Sequence, residues 1–440
     1  MIQKRLSLKN LALAAALIVP LCLLYARAGA EFAIGIVDIL FFAESVRRRD
    51  WAWARAPWFV IGLIWWAAEL ICSAPIPALG LGAAGWKSFT QALVLIRLLV
   101  FAVALGTWVL DTAPARARFW AVIAACEAWI FLQSWQQEIL GVNIFGAHRW
   151  PDGALTGPFW APRAGPPYAH LLFLALLPVI AALLTRRSTA ARLGAAVLGV
   201  LGFATALIIG QRMPFLLAGL GLAVAALMFR PIRLPAIALG VLALLAIPAL
   251  RVVSKPSFDK LVVETSHQVG NFAKSPYGEL YTRAAVMIGR SPWHGYGFNG
   301  FLYFCKQPRF DGGLPALGIG PTSLKRGACN IHPHNFYLQA GVDAGIGGMA
   351  LFAALNIAWL LALGRGLTRR AEPMRLGAFI GVLTYAWPLA STDNFAVLPM
   401  AGWLFVMLGL GLALVKSSLS EPAFLYSERQ CEFSAIGPFS

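Results

Sequence analysis

Long apolar runs dominate this chain, and basic residues cluster in the short intervals between them. A helix needs about 20 mostly apolar residues, with a working range of about 17–25, to cross the hydrocarbon core of a bilayer. Against that length the pattern predicts about twelve spanning helices. They lie near residues 9–26, 29–46, 57–76, 89–110, 118–140, 167–185, 191–210, 214–229, 234–250, 334–363, 375–392 and 396–415. The expected fold class is therefore all-α, a polytopic membrane protein.

The intervals orient these helices. Lys4, Arg5 and Lys9 precede the first span, and Arg47, Arg48 and Arg49 follow the second. Arg116 and Arg118 follow the fourth, Arg186, Arg187 and Arg192 the sixth, and Arg230 and Arg233 the eighth. Arg365, Arg369, Arg370 and Arg375 follow the tenth, and Lys416 the twelfth. Alternating spans put all of these on one side, which the excess of Lys and Arg marks as cytoplasmic. The loop Ser391-Thr392-Asp393-Asn394, on the other side, has neither residue type.

Two longer intervals then become periplasmic. One, near 141–166, is rich in Gly, Pro and Trp; the other runs from about 251 to 333. Structureless loops beyond about 15 residues are uncommon, and the second interval carries aromatics and Gly-Pro punctuation, so it is expected to fold. Within it, 276–290 reads as an amphipathic helix, broken by Pro292, Gly295, Gly297 and Gly300. The expected organisation is membrane helices over 1–250, a loop subdomain over 251–333, further membrane helices over 334–416 and a tail over 417–440.

Composition agrees. The 440 residues are 59% hydrophobic and only 12% charged, against about 25% charged in a soluble domain. A net charge of +17 would suggest nucleic acid in a soluble protein. Here the topology absorbs much of it, and no nucleic-acid partner is expected. Cys22, Cys72 and Cys126 lie in apolar runs. Cys305 and Cys329 share the large loop, where a periplasmic location allows either a disulfide or two free thiols. No cysteine–histidine pattern suggests a metal. The first apolar run follows three basic residues like a signal-peptide core, yet a second run follows almost at once, which favours an uncleaved helix.

Some charges are not explained by topology. Glu69, Arg97, Glu127 and Asp343 fall within spans, where charge is costly; pairing of Arg97 with Glu69 or Glu127 is the simple expectation. Arg212, in Gly210-Gln211-Arg212-Met213-Pro214, falls on the periplasmic side against the charge rule. It is either a snorkelling side chain or an anion-binding arginine at a helix N-terminus. Arg283 lies on the candidate loop helix, as a solvated arginine or as a second phosphate ligand. His332 and His334 stand where the large loop re-enters the membrane, in Ile331-His332-Pro333-His334-Asn335. A histidine there is a polar cap or a general base.

The stretch His334-Asn335 followed by Gly345 and Gly348 resembles the signature of the O-antigen ligase/polymerase family. The Gly-Gln-Arg turn at Arg212 resembles that family's periplasmic arginine turn, with Gln211 in place of a small residue. Arg283 with Pro292, Gly295, Gly297 and Phe301 resembles its arginine helix and glycine-rich exit, and Leu155-Thr156-Gly157-Pro158-Phe159 a Gly-Pro-Phe element. The similarity covers roughly residues 140–415.

The resemblance implies a GT-C-like inner-membrane glycosyltransferase with a large periplasmic loop between helices nine and ten. Its donor would be a glycan on undecaprenyl diphosphate, with no cofactor and no metal. The acceptor would be lipid A-core for a ligase, which the motif shape favours, or a second lipid-linked glycan for a polymerase. His334 would be the base and Arg212 and Arg283 the diphosphate ligands, with Gln211, Asn335 and His332 in support. A multi-span transporter is a further reading, but its polar residues would gather near the bilayer midplane rather than at one surface.

Overall fold

The computed structural model describes residues 7–161, 164–186, 188–315, 318–321, 329–367, 372–389, 395 and 398–420. Lys4, Arg5, Arg187, Arg369, Arg370, the loop Ser391-Thr392-Asp393-Asn394 and the tail from 421 lie outside them. Among the described residues the fold is helical without a β-strand; only the isolated bridges Val142–His148 and Leu314–Ile319 occur.

The helices are α1 (Leu8–Tyr25), α2 (Arg27–Arg48), α3 (Pro57–Ser73), α4 (Gly85–Val94), α5 (Ile96–Ala104), α6 (Ala113–Leu140), α7 (Gly165–Thr185), α8 (Thr189–Ile209), α9 (Arg212–Met228) and α10 (Arg233–Val253). The large loop contributes α11 (Lys255–Phe258), α12 (Glu264–Gly270), α13 (Pro276–Arg290) and α14 (Gly300–Phe304); α15 (Phe336–Gly364), α16 (Pro373–Ala386) and α17 (Leu398–Ser420) close the chain.

Each of the twelve predicted spans falls on a helix or, at 89–110, on α4, α5 and a π-turn in series. Seven described helices are long and apolar enough to cross a membrane by length and composition. These criteria do not establish the count of twelve: α3 and α9 are short, α16 is shorter still, and α2 and α6, though long, are not apolar enough. The helix predicted over 375–392 ends at Ala386 because Pro388 follows, and a residue before proline is pushed out of helical conformation.

Burial runs from centre to rim. α17 is the central helix, packed against α5, α16 and α1, and its inner residues Phe405, Val406, Met407 and Leu408 are fully enclosed. The outside is apolar as well: Phe32, Ile39, Ile139, Leu227, Leu234 and Leu245 are all exposed. An exterior of this kind suits lipid, not water. Lys9 pairs with Asp111, and Lys416 donates to the carbonyl of Thr107, so three basic-end segments meet at one face.

Both long loops pack at the opposite end. Leu155 N–H donates to Ile209 O at 2.9 Å, and Ser257 Oγ donates to Ile208 O at 2.9 Å, tying them to the α8–α9 turn. Asn143 holds the Gly157 carbonyl at 2.7 Å and that of Phe159 at 2.9 Å. The segment 276–310 builds a small core from Leu280, Ala284, Met287, Phe301 and Phe310, continued onto α15 by Val342. Cys305 and Cys329 are joined by a disulfide.

One feature ties this loop to the membrane helices. α15 breaks at Ala344 and Gly345, the latter at φ 69, ψ −166, a region open essentially only to glycine. The break frees the carbonyls of Val342 and Asp343, which accept from Tyr296 N–H at 2.8 Å and Gly297 N–H at 2.9 Å. In return Ile346 N–H donates to Pro292 O at 2.8 Å. The glycine-rich stretch thus docks into the broken helix.

Candidate active site

The turn 330–335 leads the chain from the loop into α15. Asn335, in extended conformation, caps the helix: its Oδ1 accepts from Tyr337 N–H at 2.9 Å and Leu338 N–H at 3.1 Å. A side-chain acceptor here satisfies donors that have no partner within the helix. Its Nδ2 donates to Pro388 O at 2.5 Å, which pins the turn to the end of α16.

His334, just before the cap, has φ 55 and so lies in the left-handed region, uncommon for a residue with a side chain. Its N–H donates to Nδ1 of the buried His332 at 3.1 Å, and the two rings meet edge to face at 4.2 Å. Asn330 Nδ2 lies 3.0 Å from His334 Nε2. The Asn330 Oδ1 already accepts from Ile331 N–H at 2.8 Å. Its amide nitrogen therefore faces the ring, which makes Nε2 the acceptor and leaves the proton of a neutral His334 on Nδ1.

α13 forms one wall. Tyr277 meets the His334 ring edge to face at 5.6 Å. Tyr281, one turn on and so on the same helix face, reaches Asn335; burial pushes its hydroxyl pKa up, while the hydrogen bond with Asn335 pulls the other way. Arg283, two residues further, projects to the other side. It is fully enclosed in the loop core, and its Nη2 donates to Asp311 Oδ1 at 2.7 Å. Its Nε and Nη1 are buried without a hydrogen-bond partner. The simple expectation of a solvated loop arginine is therefore wrong at this position.

Arg212 opens α9 and is mostly covered. Its Nε donates to Lys260 O at 3.0 Å, Nη1 to Gln268 and Nη2 to Glu264. The cover is the π-turn 259–263 with α12. Gln211 precedes it as the N-cap residue, against Gly165, where a β-carbon would stand 1.9 Å from Gln211 Oε1. Arg97 pairs with Glu31 at 2.6 Å and not with Glu69 or Glu127; a residue on α2 reaches it first.

The structure thus brings His332, His334 and Asn335 into one turn and gives Arg212 and Arg283 separate partners at the same end of the bundle. Sequence reasoning missed Asn330, Tyr277 and Tyr281 around the histidine, and Glu264, Gln268 and Asp311 on the arginines. Asn330 alone left a signal, a polar residue four positions before His334.

Residues 197–353 match the family model described as O-antigen ligase. This stretch is similar to the O-antigen ligase family. The O-antigen ligase match begins within α8 and ends past the break in α15, so it takes in Gln211, Arg212, Arg283, His332, His334 and Asn335. It supports an O-antigen ligase- or polymerase-type function in a membrane protein, and it implies lipid-linked glycan substrates. No curated protein matches the chain.

Proposed function

We propose that the protein is a periplasmic-face glycosyltransferase of a bacterial inner membrane. It moves a glycan from undecaprenyl diphosphate to an acceptor hydroxyl, as an O-antigen ligase acting on lipid A-core. The observation that carries this reading is the position of His334: a histidine at the loop–helix junction of the matched segment, whose Nε2 accepts from the side-chain amide of Asn330 on the loop.

An incoming hydroxyl displaces Asn330 and donates to Nε2. His334 takes its proton as the oxygen attacks the anomeric carbon, and the diphosphate lipid leaves from the opposite face with inversion. The leaving group gains negative charge. Arg212, released from Glu264, and Arg283, whose two unpaired donors cost energy while buried, bind that charge. Asn335 and His332 hold the histidine turn, and Gln211 the arginine turn. Reaching Arg283 requires the Asp311 segment to move aside. Both substrates keep their lipids in the bilayer while their sugars meet at the loop face.

Joining of two lipid-linked repeat units is the alternative, with the same donor and base. Purified protein given an undecaprenyl-diphosphate glycan and either lipid A-core or a second lipid-linked unit separates the two. Transfer to lipid A-core supports the ligase, and elongation alone the polymerase. Transfer to neither, with movement of the lipid-linked glycan across a vesicle membrane, would support a transporter and overturn the enzyme reading.

A further inference from the structure

The break in α15 places Asp343 opposite Glu69 of α3, inside the helix bundle and away from the His334 turn. Both carboxylates are enclosed, with Glu69 1% and Asp343 2% exposed. They line a small void of about 10 Å³, room for a single water-sized occupant. Gln339 and Asn299 also line it, with Phe336 as an apolar wall and Trp65, whose indole N–H is a donor beside Glu69. The donors present are largely spent on Asp343, whose Oδ1 accepts from Gly300 N–H at 2.9 Å and from Gln339 Nε2 at 2.7 Å. With its nitrogen held there, Gln339 turns Oε1 elsewhere. Gln339 is buried, at 4% exposed, and this oxygen has no hydrogen-bond partner of normal geometry, nor do the two carboxylate oxygens of Glu69.

Three acceptor oxygens surround a void one atom wide, with the Trp65 indole N–H as the uncommitted donor beside them, and leave room for a positive occupant. Uncompensated buried charge costs several kcal/mol or more, and no arginine or lysine lines the void. Among the described residues no third histidine, cysteine or carboxylate joins the pair. A divalent ion of the magnesium type, which keeps several waters, has neither the ligands nor the room. A small monovalent cation sheds its water at lower cost and suits a void with room for one water-sized occupant. Interrupted membrane helices commonly provide such sites, because their freed groups replace the water of the ion.

We propose that the void between α3 and the break in α15 binds one sodium ion through the Glu69 carboxylate, Gln339 Oε1 and Asp343. The ion joins α3 to the segment that carries the histidine turn, so it stabilises the docked loop against the bundle.

The test uses the full-length protein in detergent, at constant ionic strength, with sodium, potassium or choline as the only cation. Thermal unfolding and radiosodium retention are both read. Sodium should raise the unfolding temperature above choline, potassium should do so less, and one ion should be retained per chain. Glu69→Gln and Gln339→Leu should each abolish retention and the sodium-dependent rise. Glu127→Gln, a buried carboxylate on α6 outside this void, should keep both, which separates loss of the site from general destabilisation. A wild-type protein that retains no sodium and unfolds equally in choline overturns the proposal and leaves the void to water and protons. So does a Glu69→Gln protein that retains the ion.

Discussion

Glu264 closes on the guanidinium of Arg212, the arginine that opens α9. An acidic side chain therefore stands where the proposed mechanism puts a diphosphate. Arg212 is 15% exposed at its side chain and Glu264 47%, so the pair is only partly screened and Glu264 can swing away into water.

Glu264→Gln should ease entry of the donor. Exposed pairs contribute about 0.2–1 kcal/mol, so KM for the lipid-linked donor should fall up to about fivefold with kcat little changed. Arg212→Ala should raise it. Steady-state kinetics with donor and acceptor varied separately check this; an effect confined to the acceptor would contradict the diphosphate role.

A different constraint acts at Gly345. A β-carbon there would lie 2.4 Å from Pro292 O, on a backbone at φ 69. Gly345→Ala should undock the glycine-rich stretch, at about 1–3 kcal/mol for the backbone alone. Thermal unfolding should show a lower midpoint, and protease should cut the 291–300 segment faster. An unchanged midpoint would mean that the break tolerates a side chain.

How much of this was legible beforehand differs from element to element. The sequence predicts the loop helix over 276–290 and it runs Pro276–Arg290, because its amphipathic pattern and the proline–glycine stop are local signals. The break in α15 was not legible, since hydropathy continues straight through Ala344 and Gly345; only the carbonyls taken by Tyr296 and Gly297 reveal it. Arg283 could be named but not its burial, because Asp311 lies 28 residues on. The sequence does not reveal the partner of Arg97 for the same reason: Glu31 is 66 residues away in sequence. The residues of the histidine turn were legible as a motif. Their roles as cap, acceptor and left-handed residue belong to the folded turn.

Asn335 acts on His334 through the cap. Asn335→Ala removes the acceptor for Tyr337 and Leu338 and should cost about 1 kcal/mol. It also frees the turn from Pro388, so kcat should fall more than KM rises. Asn335→Asp keeps the cap and loses only the donation to Pro388; it should recover stability but not full turnover. Equal recovery of both would assign Asn335 to the helix alone.

The Cys305–Cys329 disulfide closes 24 residues of loop. Cross-links of this span stabilise by about 3 kcal/mol. The Cys305→Ser, Cys329→Ser double variant should lower the unfolding midpoint and shed transfer activity on warming. Thiol labelling of intact cells should reach these two cysteines only after an impermeant reductant, as a periplasmic loop requires. Labelling without reductant would contradict the oxidised pair.

His334 carries the proposed chemistry as the base. His334→Ala, purified and checked for normal insertion and unfolding, should lose glycan transfer by at least about 100-fold, the scale of a missing general base, while donor KM stays within about twofold of wild type, as expected when only a transition-state interaction is removed. Transfer close to the wild-type rate would contradict it and return His334 to the role of a polar residue at a helix entrance.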